Sequence, residues 1–480
     1  MNKKLVFHVI GKLLCAVSLM LIAPMIVSII YTEQSWWSFG VTAVISLALG
    51  ILLLKITKGF SRVIYAKEGF AIVSLSWITV SLIGSLPFII SKEIPSFADA
   101  FFESVSGYTT TGASILNNVE KLSHGMLFWR SFNHWIGGMG VLVFMLAFVS
   151  SITDRSIHIL RAEMPGPIVG KLAPRSKDTS KVLYIIYIVL TVSQIVMLCC
   201  GDMNLFESII HSFGTAGTGG FGIKSDSIAS YSSYSQWVIT AFMFIFGINF
   251  NVFYLFILKR FKAAIKSSEL AVYTLITVFS IIIISFDISH LFNNLSDTIR
   301  TSAFQVVSIT TTTGFSSVDF NLWPSLSKSI LTVLMFIGAC AGSTAGGFKM
   351  SRVVIVFKMI SNEIKKMIHP RSVSTVKFEG KDVDENTQRS VTSYFAIYFV
   401  CILIIFMLIS LEPFDFETNF TATVSCFNNV GPGMSAVGPM SSYAEYSVFS
   451  KILLSFAMLL GRLEIFPILI AFIPSTWRKR

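Results

Sequence analysis

Apolar residues along the chain fall into runs of about 20, the length that spans a bilayer core, and not into the short alternation of half-buried strands. Ten such runs occur, near residues 7–31, 38–57, 70–91, 125–151, 181–200, 236–258, 270–289, 329–348, 391–411 and 447–474. Between them lie four stretches too brief to cross: 98–109, 203–214, 297–309 and 416–427, each 12 or 13 residues long with a carboxylate near its start. At about 1.5 Å per residue such a helix reaches roughly 20 Å, short of a hydrocarbon core of roughly 30 Å. The pattern predicts re-entrant half-helices. Their carbonyl-bearing ends would stop at mid-membrane, where the helix dipole favours a cation.

Each half-helix runs into a hydroxyl- or amide-rich strip containing glycine: Thr109 to Ser114, Gly217 to Gly222, Thr311 to Ser316 and Asn428 to Gly433. The anchor glycines Gly112, Gly220, Gly314 and Gly431 are separated by 108, 94 and 117 residues. Fixed order with variable spacing indicates duplicated units whose linkers have drifted. Glycine admits dihedrals that turn successive carbonyls toward an axis, where they replace a cation's hydration shell. Non-helical backbone at that depth is tolerated only where protein buries it or water lines it. One strip alone reads most simply as a loop or helix cap; four in the same order read as a pore. The second strip, with Gly219, Gly220 and Gly222, is open to a one-residue slip. It is anchored on Gly220 because Gly220-Phe221 matches Gly314-Phe315.

Composition agrees with a membrane protein: of 480 residues 53% are hydrophobic and 13% charged, about half the roughly 25% charged content of soluble domains. The net charge of +11 would suggest nucleic acid in a soluble chain, but its placement is topological. With alternate loops assigned to one side, 29 of 37 basic residues gather there, in 155–181, 259–266 and 349–389, at Lys3, Lys4, Lys12, Lys55, Lys58, Arg62 and Lys67, and at Arg478, Lys479 and Arg480. Both termini are therefore expected to be cytoplasmic. The opposite loops hold six basic against fifteen acidic residues, a balance that concentrates cations at an outer surface. Met1 to Val27 imitates a secretory signal but lacks a small-residue cleavage site and reads as a retained helix. The six cysteines lack metal-ligand spacing and read as packing residues.

Two further features lie within apolar runs. Residues 338–347 hold Gly338, Gly342 and Gly346 at four-residue spacing, with Ser343, Thr344 and Gly347. They read either as a small-residue helix contact or as an unwound intramembrane loop blocking the pore. Lys349, just beyond, reads as a cytoplasmic anchor. Arg462 lies inside the last run, where a cation costs several kcal/mol unless paired or hydrated. It is either a structural pair with a carboxylate or carbonyl, or an electrostatic barrier; Glu464 is a poor local partner. Arg130 near a helix end is excused by snorkelling. His134 and His211, each alone in its segment, read as hydrogen-bonding residues before proton relays.

With these residues on the page, the chain resembles the Trk/Ktr/HKT superfamily of potassium uptake proteins, and within it the bacterial TrkH branch. The resemblance is carried by Phe128-Trp129-Arg130, Trp135 to Gly140, Gly338 to Lys349, Asn428 to Gly433 and Leu460-Gly461-Arg462. The two leading helices favour TrkH over KtrB. The resemblance implies an all-α polytopic membrane protein with four helix-pore helix-helix repeats in pseudo-fourfold symmetry around one ion pore, preceded by two extra transmembrane helices. The units would be an extension over 1–60 and repeats over 61–158, 159–266, 267–370 and 371–480. It implies potassium as substrate, bound at Thr111, Gly112, Gly219, Gly220, Thr313, Gly314, Val430 and Gly431, with a gate at 338–347 and Arg462. It further implies a homodimer in the bacterial cytoplasmic membrane and a separate TrkA-like cytosolic ring that carries the nucleotide, with no covalent cofactor and no nucleic-acid partner.

The expected function is gated potassium uptake, regulated by that ring. A symporter coupled to protons or sodium by alternating access is the second class, which broken helices and repeats also suit. Against it stand four same-direction units instead of two inverted halves. An enzyme is not expected, since no histidine pair at helical spacing, nucleophile elbow or phosphate loop is present.

Overall fold

The computed structural model describes residues 1–59, 66–140, 176–371 and 375–477. The second part of the run 125–151, most of the basic stretch 155–181, the unit limits at 60/61 and 158/159, and Arg478 to Arg480 lie outside the described residues.

Two spans lead the chain. Helices α1 (Lys3–Met20) and α2 (Ile22–Ile30) form one apolar stretch, and α3 (Trp36–Ile56) returns against α1. Four units follow. The first is α4 (Ala66–Ser91), α5 (Phe97–Tyr108) and α6 (His124–Gly138). The second is α7 (Ser176–Cys199), α8 (Leu205–Gly217), α9 (Ser233–Phe246) and α10 (Phe250–Ile257), trailed by the short α11 (Phe261–Ile265). The third is α12 (Ser268–Asp287), α13 (Leu295–Thr310), α14 (Ser325–Ile337) and α15 (Met350–Ile368). After a two-stranded hairpin, β1 (Lys377–Phe378) and β2 (Lys381–Asp382), the fourth is α16 (Glu385–Ile409), α17 (Phe416–Asn428), α18 (Val448–Arg462) and α19 (Phe466–Phe472). Among the described residues six helices are long and apolar enough to cross a bilayer, and two bent pairs bring that to eight.

The first helices of the second, third and fourth units turn apolar faces outward, whereas α4 is mostly buried. On α7 the exposed side chains include Ile185, Val189, Val192 and Val196, and on α12 they include Leu275, Phe279 and Phe286. An apolar face of that extent is stable against hydrocarbon and not against water. The short helices α5, α8, α13 and α17 are instead buried despite their serines and threonines, and their first turns carry Asp99, Glu207, Asp297 and Glu417. Each carboxylate faces the positive end of its helix dipole. On α8 it completes a capping box with Asn204.

The second helices close the fold into a ring. α6 packs on α8, α9 on α13, α14 on α17, and α18 on α5, so the helix that follows each unit's short helix braces the next unit's short helix and the fourth returns to the first. Charge reinforces two of these seams: Lys451 on α18 binds Asp99 at 2.6 Å and Lys328 on α14 binds Glu417 at 3.4 Å. Two of the outer carboxylates expected to focus cations are thus engaged in ring closure.

The apolar runs 236–258 and 447–474, expected as continuous spans, are broken, and within 329–348 the residues 338–347 adopt the unwound one of the two readings left open for them. The axis bends by 88° between α9 and α10 and by 119° between α18 and α19, and α14 stops at Ile337. Hydropathy sees no break because the few polar residues there, such as Asn249 and Glu464, are averaged out by the apolar residues around them. Arg130, expected to snorkel, is instead 2% exposed and reaches Glu103 on α5 at 2.7 Å, with its guanidinium carbon 4.0 Å from the Phe221 ring centre. Glu103 also accepts from Ser114 Oγ and from the Ile115 N–H.

Truncating one partner of a buried ion pair leaves the other charge uncompensated, at about 3–5 kcal/mol. Glu103→Ala is therefore expected to lower the detergent-solubilised thermal midpoint markedly. The double variant Glu103→Leu/Arg130→Met should recover much of the loss, as measured by differential scanning fluorimetry.

Candidate functional site

The four short helices end alike. The N–H groups of Thr110, Thr218, Thr312 and Asn429 reach back three residues, and those of Thr111, Gly219, Thr313 and Val430 reach back five, to Ser106, Gly214, Ser308 and Ser425 at 2.8–2.9 Å. This is the two-bond Schellman cap. It requires a left-handed residue, and φ is 55° at Thr110, 54° at Thr218 and Thr312, and 56° at Asn429. Three of these are β-branched threonines, for which the conformation costs roughly 1–2 kcal/mol per residue. Two residues further on, Gly112, Gly220, Gly314 and Gly431 have φ of 81°, 74°, 80° and 105°. The shared pattern settles the register of the second strip: Gly220, and not Gly219, is equivalent to the other anchors.

The strips meet. A Cβ on Gly112 would collide with the Gly219 carbonyl oxygen, one on Gly220 with that of Thr313, one on Gly314 with that of Val430, and one on Gly431 with that of Thr111. The contacts form a closed cycle of four glycines and four carbonyls. All four glycines open on one cavity of about 300 Å³ that Ser114, Arg130 and Tyr443 also line. The eight residues expected to bind the ion are thereby brought together. The cycle is not fully symmetric, because the Gly431 carbonyl accepts a hydrogen bond from the Tyr443 hydroxyl at 2.8 Å.

The supporting hydrogen bonds differ from strip to strip. Thr109 and Thr111 share a hydroxyl contact at 2.8 Å, as do Thr311 and Thr313. The Asn429 amide donates to Thr111 Oγ1 and to the Met458 carbonyl, both at 2.9 Å, tying the fourth strip to the first. His134 bridges the first unit and the second: Nδ1 lies 2.8 Å from the Gly107 carbonyl, while Nε2 accepts from the Phe221 N–H at 3.2 Å. Those two bonds require the neutral Nδ1–H tautomer, which fits a hydrogen-bonding brace. His211 is bonded through Nδ1 to the Glu207 carbonyl.

Below the cycle, residues 338–349 are irregular backbone between α14 and α15. Left-handed φ values at Gly338, Gly342 and Gly347 fold the segment on itself, with Gly347 against Gly338. Its first half is held by the second unit and by its own: the Cys340 N–H donates to the Gly247 carbonyl and the Phe250 N–H to the Gly342 carbonyl across units, and the Ala341 N–H donates to Glu269 at 2.7 Å within the third. Ser343 Oγ closes on the Cys340 carbonyl at 2.6 Å. The second half touches the strips, since the Gly346 N–H donates to Thr312 Oγ1 at 2.7 Å. Arg462 holds the loop from the side. Its guanidinium donates to the Thr344 carbonyl at 2.8 Å, to the Gly138 carbonyl at 2.9 Å and to the Gly137 carbonyl. Of the residues nominated as a gate, Gly342, Ser343, Gly346 and Arg462 line one cavity of about 50 Å³ on this side of the cycle, while Gly338, Thr344 and Gly347 belong to the same loop but not to that lining.

Sequence reasoning missed several residues here. Glu269 looked like an ordinary carboxylate at the start of a span, yet it is 3% exposed and bonded to the loop. Its helix start is in turn capped by Glu379 at the hairpin tip, which accepts from Ser267, Ser268 and the Glu269 N–H. Glu464 pairs with Arg352 at 2.5 Å, across units. The available signal was the same in each case, a charge beside apolar sequence with no local partner.

A family model described as a cation transport protein, TrkH, matches residues 38–479. The chain is 35% identical to the Trk system potassium uptake protein TrkG of Escherichia coli strain K12, over 99% of both chains. It is 33% identical to the Trk system potassium uptake protein TrkH of the same strain, over 100% of both. The crystal structure of the potassium transporter TrkH from Vibrio parahaemolyticus superposes with a TM-score of 0.89 at 30% identity, covering 100% of both chains.

The cycle makes a local prediction. Gly220→Ala places a Cβ against a carbonyl at positive φ, whereas Gly222→Ala meets nothing nearer than 3.8 Å. Gly220→Ala is expected to destabilise by about 1–3 kcal/mol and Gly222→Ala to be near neutral in thermal unfolding. Equal effects would contradict the packing described.

Proposed function

The chain belongs to the TrkH family of cation transport proteins, and on that premise we propose that it is a potassium uptake protein of the bacterial cytoplasmic membrane with both termini cytoplasmic. Potassium would reach the outer cavity and lose water at the carbonyls of Thr111, Gly112, Gly219, Gly220, Thr313, Gly314, Val430 and Gly431. It would then stop at the 338–347 loop and Arg462 until the loop moves. The observation that carries this reading is the closed cycle of glycine-to-carbonyl contacts beneath a single cavity.

The physical reasoning is direct. A monovalent cation exchanges hydration for carbonyl dipoles without a protein charge, so binding stays weak enough for release. The short helices aim their negative ends at the same level, adding to the field a cation meets there. At the loop the sign reverses, because Arg462 lines the inner cavity. A cation held beside the path is an electrostatic barrier that a bare potassium ion cannot pass cheaply.

The homodimer and the TrkA-like cytosolic nucleotide-binding ring belong to the same proposal. Exposed Lys365, Lys366, Arg371, Lys377, Lys381 and Arg389 give such a ring a basic surface to meet. The hairpin that carries two of them is bonded through Glu379 and the start of α12 to Glu269, which holds the loop. A partner acting on the hairpin would therefore have a short mechanical path to the blocking segment.

In proteoliposomes, rubidium uptake by the natural chain should be selective over sodium. Gly314→Ser should reduce that discrimination by about tenfold, equivalent to about 1.4 kcal/mol. Unchanged rate and selectivity in tracer flux would overturn the assignment of the strips.

A further inference from the structure

Lys349 does not anchor the cytoplasmic surface as its sequence position suggested. It is 3% exposed and lines the same inner cavity as Arg462. Its backbone has φ 79° and ψ 132°, a region lysine rarely adopts, at the stem of the loop. The stem is fixed: the Phe348 N–H donates to the Phe336 carbonyl at 3.1 Å and the Lys349 N–H to the Ile337 carbonyl at 3.0 Å. From there the side chain turns back into the loop, and its ammonium donates to the Ala345 carbonyl. Glu464, the carboxylate in the same cavity, is bonded to Arg352 at 2.5 Å.

A buried ammonium in a membrane protein needs a reason. An alkylammonium and a dehydrated potassium ion seek the same ligands, carbonyl oxygens, and the same low-charge surroundings. Here the ammonium sits on the Ala345 carbonyl, next to Gly346, whose N–H donates to Thr312 at the end of a short helix. We propose that Lys349 is a tethered stand-in for the transported cation, occupying an inner carbonyl position while the loop is closed. It is then a second barrier charge, and it differs from Arg462 in one respect. Arg462 is carried by α18, whereas Lys349 reaches from the fixed stem onto the loop's own Ala345 carbonyl, so loop movement takes away the carbonyl that holds the ammonium in place. The inference rests on the proposed blocking role of the loop and adds the residue that makes the block cation-specific.

The test is rubidium uptake by the full-length chain in proteoliposomes without any cytosolic partner, with size-exclusion elution checked for each variant. Lys349→Ala should raise basal uptake about tenfold or more, because a charge-assisted hydrogen bond favouring the closed state is lost. Lys349→Gln, which keeps a donor without the charge, should also raise it and serves if the alanine variant fails to fold. Lys349→Arg should stay near the natural level. Propylammonium supplied at the loop side should restore the block in Lys349→Ala and leave the natural chain unaffected. If Arg462→Met raises uptake while both Lys349→Ala and Lys349→Gln do not, the lysine is not a barrier and the proposal falls alone. If none of the three raises uptake, the blocking role of the loop falls with it. Raised uptake that propylammonium does not reverse, or that Lys349→Arg shares, would make Lys349 a structural strap and overturn the stand-in.

Discussion

Four glycines packed against four carbonyl oxygens are the constraint on which this molecule is built. Each contact is too close for any side chain, so the strips approach one another only because the Cβ is missing at Gly112, Gly220, Gly314 and Gly431. The requirement propagates outward. Left-handed residues two positions earlier give the Schellman caps that end the helices, and those ends must stop where the four strips meet. That in turn forces helices too short to cross, supported by longer ones whose outer faces are apolar. The ion pairs Lys451–Asp99 and Lys328–Glu417 brace the same closure at the outer rim.

A second constraint acts on the inner side. The second helices of three units break or bend at the level of the loop, after Phe246, Ile337 and Arg462. Their freed backbone groups do not go unsatisfied. The Gly247 carbonyl takes the Cys340 N–H, the Gly342 carbonyl takes the Phe250 N–H, and the Gly137, Gly138 and Thr344 carbonyls take Arg462. Breaks that would be costly singly in lipid are tolerable because they satisfy one another. The same exchange explains why buried cations lie where they do: helix ends supply partial negative charge that an isolated apolar span lacks.

Much of this was legible in the chain before any coordinates. Run length separated crossing helices from short ones, and the recurrent glycines located the strips, because both signals are strong and repeated. The polar brace role of His134 was legible from its isolation. The bends within 236–258 and 447–474 were not, and 338–347 stayed open between a packed helix and a loop, since a run of small residues has the hydropathy of a span and the backbone freedom of a loop. Ion pairs escaped for another reason. Arg130 and Glu103 are 27 residues apart, and Arg352 and Glu464 are 112 apart, so neither falls within the three- or four-residue spacing that a helix reading can use. Lys349 was misplaced because charge counting assigns a lysine after an apolar run to the membrane surface, while the fold turns it inward.

The most direct measurement is anomalous diffraction from crystals grown in rubidium or thallium in place of potassium. The account predicts anomalous density on the axis enclosed by the carbonyls of Thr111, Gly219, Thr313 and Val430, with none at the Ala345 carbonyl while Lys349 occupies it. Density confined to the outer cavity or to the protein surface, with the space between those four oxygens empty, would contradict it.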